Sequence, residues 1–295
     1  MSLRLEMLQV ARLAPNVLGE AAPLVADFLQ SQRHPDGGFV NRNGESDLYY
    51  TVFGMECLLA LRQPLPWADL HRYVTQFGTG DDLDFVHLTC LTRCWSILPA
   101  EFRSERPTQA MLGRIEACRT LDGGYDTSAD QSAGTLYGSF MAVGAYQDLQ
   151  QPIPDPQRLA QFLHGLREPR EGYRQSRALP ISLAPATAGA IALLRMLDDA
   201  PTDETLGRWL LSCFDPQGGF RPSPAALVPD LLSTATALHA LAALKVELGA
   251  LKEPCLDFLD TLWTNRGGFF GHWEDTHVDC EYTYYGLVSL GHLSL

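Results

Sequence analysis

Basic residues are in short supply in this chain of 295 residues: 22 Lys+Arg stand against 35 Asp+Glu, a formal charge of −13. Nucleic-acid binding draws on a basic footprint that neutralises phosphates, so the deficit excludes that class. It argues equally against an anionic membrane surface. Apolar runs of about 18 residues are missing, which removes a transmembrane span. The opening MSLRLEMLQVARLAP is amphipathic and broken by Arg4, Glu6 and Arg12, so no secretory leader is expected there. Paired cysteines are missing as well. Cys57, Cys90, Cys94, Cys118, Cys213, Cys255 and Cys280 are odd in number and scattered, with no CxxC and no zinc-finger spacing. That is the pattern of reduced thiols in a cytosolic protein. No GxGxxG, Walker sequence or nucleophile elbow occurs, so neither a nucleotide cradle nor a serine triad is expected.

What is present is a repeat. The turn DGGF (36–39) recurs as DGGY (122–125), EGY (171–173), QGGF (217–220) and RGGF (266–269). The last glycine of each lies at 38, 124, 172, 219 and 268, giving intervals of 86, 48, 47 and 49 residues. The first interval is nearly double, and Gly78-Thr-Gly80-Asp-Asp-Leu-Asp84 fills it as a degenerate unit. Six units of roughly 43–49 residues account for the chain. A glycine just past a helix supplies the left-handed residue that ends it, so the GGF turn is expected to be structural.

Each unit pairs a short amphipathic helix (expected at 23–32, 67–77, 108–119, 155–166, 203–214 and 254–263) with a longer, almost wholly apolar one. The long helices are expected at 48–61, 85–98, 134–146, 187–197, 231–244 and 282–292. A helix apolar all round is buried on every face, whereas its amphipathic partner keeps one face wet. Two such kinds alternating six times describe an inner ring inside an outer ring. A linear solenoid ends in polar capping repeats, but the last helix here is apolar to the C-terminus. The prediction is an all-α, closed (α/α)6 toroid. It occupies 1–295 as one domain, with 1–22 as an N-terminal extension helix.

The starts of the long helices carry the chemistry. Three units share D-x-x-[YS]-T: Asp47 to Thr51, Asp230 to Thr234 and Asp279 to Thr283. The second unit begins at Asp84; the third and fourth are aligned on Ser132 and Ser182. Asp or Ser in the first place serves as an N-cap. The third and fourth places are expected to face a central cavity. There, units six, one and two offer Glu281/Tyr282, Tyr49/Tyr50 and His87, next to Asp279, Asp47 and Asp84. Units three and four offer only Gly134, Thr135, Ala184 and Pro185. An acidic, aromatic sector facing an apolar wall suits an apolar chain with a reactive or cationic end. His272, His277, Asp279 and Cys280 are weighed as metal ligands and set aside, because no helical i,i+4 pair supports them. Cys90 and Cys94 read as core.

The GGF turns followed by D-x-x-Y-T and an apolar helix resemble the prenyltransferase/squalene-cyclase repeat superfamily, over Pro23 to Leu295. Six repeats resemble the protein prenyltransferase β subunits more than the two-domain cyclases. The resemblance implies an isoprenoid-like apolar ligand and a helical-repeat protein partner. It also implies a zinc site on an Asp, a Cys two residues later, and a His. Carried over, these fall on Asp230, Leu232 and Tyr282, so zinc-dependent protein prenylation is not expected. The diphosphate-binding histidine falls on Ser182, and the basic loop before Asp230 reads SPAALVP, with only Arg221 nearby. The cyclases' D-x-D-D-T instead sets Asp279-Cys-Glu281-Tyr-Thr283 in place, with Glu281 as proton donor and Asp279 and Tyr282 beside it. The catalytic candidates are therefore Glu281, Asp279 and Tyr282. The substrate-binding candidates are Asp47, Tyr49, Tyr50, Asp84, His87, Asp230 and Trp273. A non-catalytic binding or scaffold toroid is the alternative.

Overall fold

A computed structural model of the chain describes residues 2–201 and 204–295. The expected N-terminal helix is broken: α1 (Leu3–Ala11) and α2 (Pro15–Leu18) are separated by a turn, because Pro15 opens a new helix and Gly19 ends it at φ 53°. Six helix pairs follow. They are α3 (Ala22–Ser31) with α4 (Leu48–Ala60), α5 (Trp67–Thr75) with α6 (Phe85–Ile97), and α7 (Thr108–Glu116) with α8 (Leu136–Asp148). Then come α9 (Pro156–His164) with α10 (Ala184–Met196), α11 (Thr205–Ser212) with α12 (Leu231–Ala243), and α13 (Lys252–Leu262) with α14 (Cys280–Leu293). Asp203, the expected start of the fifth outer helix, lies outside the described residues.

Each even-numbered helix from α4 to α14 packs on the next, and α14 returns to α4, so the inner ring is closed. The fold is the predicted α/α toroid. Helix α1 lies across the end where the inner helices finish: Leu3 N donates to Gln147 Oε1 of α8 at 3.2 Å, Arg195 of α10 pairs with Glu6 at 2.9 Å, and Arg4 pairs with Glu56 of α4 at 3.3 Å. Among the described residues no helix is long and apolar enough to cross a membrane.

The GG turns do not end the helices, contrary to the expectation from sequence, because each helix before one has already stopped at a non-glycine cap. Helix α3 ends at Ser31, six residues before Gly37, and the turn folds back as a hairpin in which Phe39 pairs with Asp47. The same pairing joins Tyr125 to Thr135, Phe220 to Asp230 and Phe269 to Asp279. The aromatic amide then donates to a hydroxyl inside the following helix: Phe39 to Thr51 (2.9 Å), Tyr125 to Ser139 (3.0 Å), Tyr173 to Thr187 (2.8 Å), Phe220 to Thr234 (2.9 Å) and Phe269 to Thr283 (3.4 Å). That is why the repeat ends in threonine. The glycines face the next unit. Gly267, at φ 96°, would place a Cβ 2.0 Å from the carbonyl oxygen of Leu24, and Gly268 lies on Phe28, so the sixth turn docks on the first outer helix.

Candidate functional site

The cap residues fix which side chains enter the ring. Asp47, Asp84, Asp230 and Asp279 each accept a backbone N–H from the first helical turn, from Tyr49 (2.7 Å), His87 (2.8 Å), Ser233 (2.7 Å) and Tyr282 (2.9 Å). These carboxylates are thereby occupied in ending the helix N-terminus. The residue two places after the cap lines a central cavity of about 300 Å³: Tyr49, Tyr137, Pro185, Leu232 and Glu281. Phe53 and Tyr285 add aromatic wall on one side, and Ala186, Ala188 and Gly189, with Phe140 beside them, form the wall on the other.

Two of the aligned caps need correction. The cap of α8 is Thr135, whose Oγ1 accepts from Gly138 N at 3.0 Å, and the cap of α10 is Leu183, with no side-chain bond. Ser132 is exposed, and Ser182 is buried and donates to Glu171 at 3.0 Å. The shifted register had hidden Tyr137, which lines the cavity from unit three. The wall opposite Glu281 is therefore apolar but not free of aromatics.

Glu281 and Tyr49 meet. The Tyr49 hydroxyl donates to Glu281 Oε1 at 2.6 Å. Burial raises the Glu281 carboxyl to about 7, the Tyr49 bond opposes that, and nearby Asp279 adds to it. Burial also holds the Tyr49 phenol far above its usual range. At neutral pH both forms of Glu281 are populated, next to a phenol that stays protonated.

The other expected residues do not line the cavity. Asp279 caps α14 and receives Arg42 Nε at 2.8 Å, while Arg42 also reaches Asp275 at 2.9 Å. Burial pushes Asp279 upward, against the Tyr282 amide and Arg42. Arg42 lies 5.5 Å over the ring of Tyr282, and burial lifts the Tyr282 phenol to about 12. Tyr50 stacks edge-on against Tyr49 at 5.6 Å. His87 is not in the cavity lining. It bridges Asp47 (3.2 Å) and Asp84 (2.9 Å), and chiefly the Asp47 bond raises its pKa to about 9. Ser233 donates to Asp230 through both its amide and its hydroxyl at 2.7 Å. Trp273 is exposed, packs on Phe258 and donates to Thr261 at 2.8 Å.

Sequence reasoning passed over the far end of the cavity. Glu56, Arg93 and Asp148 line it, together with Arg4 of α1 and His239. His239 Nδ1 lies 3.0 Å from His292 Nε2, and burial depresses His292 to about 3. The available signal was an isolated charge inside otherwise apolar helices, since buried charges are kept only when partnered.

The zinc site of the resembled transferases does not fit these residues. Leu232 has no donor atom, the Tyr282 phenol is held neutral, and the Asp230 oxygens are taken by Ser233. Among the described residues no three His, Cys, Asp or Glu side chains are grouped to hold a metal ion. Arg221 is turned to the backbone, donating to the carbonyls of Ala226 (3.2 Å) and Phe214 (3.3 Å).

A family model described as the prenyltransferase alpha-alpha toroid domain matches residues 6–174 and 159–294. Curated protein sequences give no match. Among solved structures, the type II terpene cyclase MstE from Scytonema in complex with geranylgeranyl dihydroxybenzoate superposes with a TM-score of 0.61 at 14% identity, over 95% of this chain and 97% of that one. Protein geranylgeranyltransferase-I from Candida albicans, complexed with GGPP, gives 0.56 at 12% identity, over 77% of this chain and 91% of that one. A polysaccharide lyase gives 0.59 at 13% identity, over 95% and 97%. Likeness at this level concerns the fold alone.

Proposed function

The chain belongs to the prenyltransferase α/α-toroid family, and on that premise we propose that it binds an isoprenoid in its cavity and that Glu281 acts on that ligand as a general acid. The observation carrying the proposal is a carboxyl at about 7, bonded by a neutral tyrosine, at the polar tip of an aromatic-walled cavity. A general acid works best with its pKa near the working pH. A carboxyl at that value is a weak acid toward a bare alkene, so the favoured acceptor is an oxygen, such as the epoxide of a polyprenyl chain.

With Tyr49 bonded to Oε1, the proton sits on Oε2. It passes to the epoxide oxygen as the C–O bond breaks, leaving a hydroxyl and a tertiary carbocation. An alkene further along the chain attacks, forming a C–C bond. Loss of a proton from the last cation to the Glu281 carboxylate restores the acid and gives an alkene. Ring faces of Tyr49, Phe53 and Tyr285 stabilise the cation. Asp279 and Tyr282 act as positioning residues, Asp279 by capping α14 and Tyr282 by holding Arg42. Asp47, Asp84 and Asp230 cap helices whose next turns enter the cavity, Tyr50 packs on Tyr49, and His87 joins two of those caps, while Trp273 stands apart on the outer ring. Acid and cavity both come from one chain, so this chemistry calls for no helical-repeat partner.

The test is incubation with terminal epoxides of farnesol and geranylgeraniol, with products read by mass spectrometry and NMR. Glu281→Gln should lower turnover by about 10²–10⁴-fold without lowering the melting temperature. Full turnover by that variant would move the acid elsewhere. A wild-type chain that binds these probes without converting them would be a non-catalytic binding toroid, and one that binds neither would favour a scaffold role.

A further inference from the structure

The far end of the cavity is polar. It lies about 10 Å below the Tyr49–Glu281 pair, from the seven-residue rise along α4 between Tyr49 and Glu56. Arg93 Nε donates to Asp148 Oδ2 at 2.5 Å, and Arg4 Nη1 donates to Glu56 Oε1 at 3.3 Å. One acceptor is left over. Glu56 is 2% exposed and lines the cavity, yet its Oε2 has no hydrogen-bond partner among the described residues. The two Nη groups of Arg93 likewise make no hydrogen bond to the described residues, and Gly144 makes room for them: a Cβ there would stand 3.3 Å from Nη2. Buried polar atoms are normally satisfied, and a hydrocarbon end placed here would leave this oxygen without a partner.

We propose that this floor is a second polar subsite, which takes a hydroxyl at the distal end of the bound chain. The proposal rests on the reading that the cavity holds an isoprenoid, and it makes the preferred ligand one oxygenated at its deep end. A hydroxyl satisfies both free groups, accepting from Arg93 and donating to Glu56 Oε2. If Glu56 carries a proton, the same hydroxyl accepts from it. Arg4, Arg93, Glu56 and Asp148 sum to zero when ionised, so the floor does not call for a diphosphate or a carboxylate.

Phytane and phytanol test this. They share one saturated chain, differ by a terminal hydroxyl and cannot react, so they report binding alone. Displacement of a fluorescent fatty probe from the full chain should show phytanol bound about tenfold more tightly than phytane. Replacing the pair together, Arg4→Met with Glu56→Leu, should lower that ratio at least about threefold while phytane binding holds, because the hydroxyl then keeps only its Arg93 contact and exchanging both partners strands no charge. Glu281→Leu should leave the ratio intact. Equal binding of the two probes to wild type means the floor holds water, and it overturns the proposal. A ratio lost in Glu281→Leu places the hydroxyl at the other end and overturns it too, while the isoprenoid reading stands. Binding of neither probe removes both readings. Should the double variant not fold, the wild-type and Glu281→Leu ratios still decide.

Discussion

Glu281 costs the fold stability when it loses its proton. Its ordinary value is 4.5 and burial raises it to about 7, so between those pH values the native state binds more protons than the unfolded one. Stability must then fall as pH rises from 4.5 through 7. Glu281→Gln removes that titration. It should be more stable than wild type at pH 8 by about 3 kcal/mol at most, and equal to it at pH 4. Urea unfolding at the two pH values checks this, and equal gains at both would mean the effect is packing. Tyr49→Phe removes the bond that favours the carboxylate, so the midpoint of the pH–activity profile should move above that of wild type. His87 has the same slope over a higher pH window. Its value rises from 6.5 to about 9, so its contribution is complete below 6.5 and lost as pH rises through 9. At one-third exposure, solvent screening reduces that to roughly 1 kcal/mol. His87→Gln should flatten the melting temperature between pH 6 and 9. These two residues also show where the sequence was legible. Repeat alignment brought Glu281 and Tyr49 to one sector, and they meet. His87 is one place further along its helix, about 100° around the axis, which turns it from the cavity to its neighbours' caps.

At the scale of elements, the caps were legible wherever they were aspartates, because a carboxylate before an apolar run has a single reading. They were illegible in units three and four, where Ser132 and Ser182 precede helices actually capped by Thr135 and Leu183. The dependable landmark is the hydroxyl four residues after the cap, in Thr51, Ser139, Thr187, Thr234 and Thr283, since it must meet the amide of the turn. Only long-range pairing reveals that role. The placing of α1 was equally hidden, since an amphipathic helix does not say which end of a ring it covers. A single glycine lets it dock: a Cβ on Gly291 would lie 2.0 Å from the Val10 carbonyl oxygen. Gly291→Ala should push α1 away from α14, costing about 1–3 kcal/mol. Amide exchange should quicken over 3–11 while that of α6 and α8 is kept. Unchanged exchange in α1 would mean that the helix bundle yields instead.

Closure is the property of the whole molecule, and its seam can be loosened at one place. Units six and one meet through α14 on α4, through the turn of Gly267 and Gly268 on α3, and through Arg42, which joins the loop of unit one to Asp275 and Asp279 of unit six. The Asp275 and Asp279 side chains are 7% and 3% exposed, and Arg42 is about one-third exposed. Arg42→Met would leave both carboxylates short of a partner, at a cost of about 1–3 kcal/mol once solvent access to Arg42 is allowed for. In a linear array each unit leans only on its neighbours, so such damage frays the nearest end and the remainder persists. A closed ring has no end to fray. Every inner helix is held on both sides, and releasing one seam removes a neighbour from two units whose other neighbours depend on them in turn. Arg42→Met should therefore lower the melting temperature while unfolding stays a single transition, with tryptophan fluorescence and far-ultraviolet circular dichroism changing together. The tryptophans at 67, 95, 209, 263 and 273 report from units two, five and six. An early fluorescence phase ahead of the loss of helix would show the ring behaving as an open array with its ends in contact.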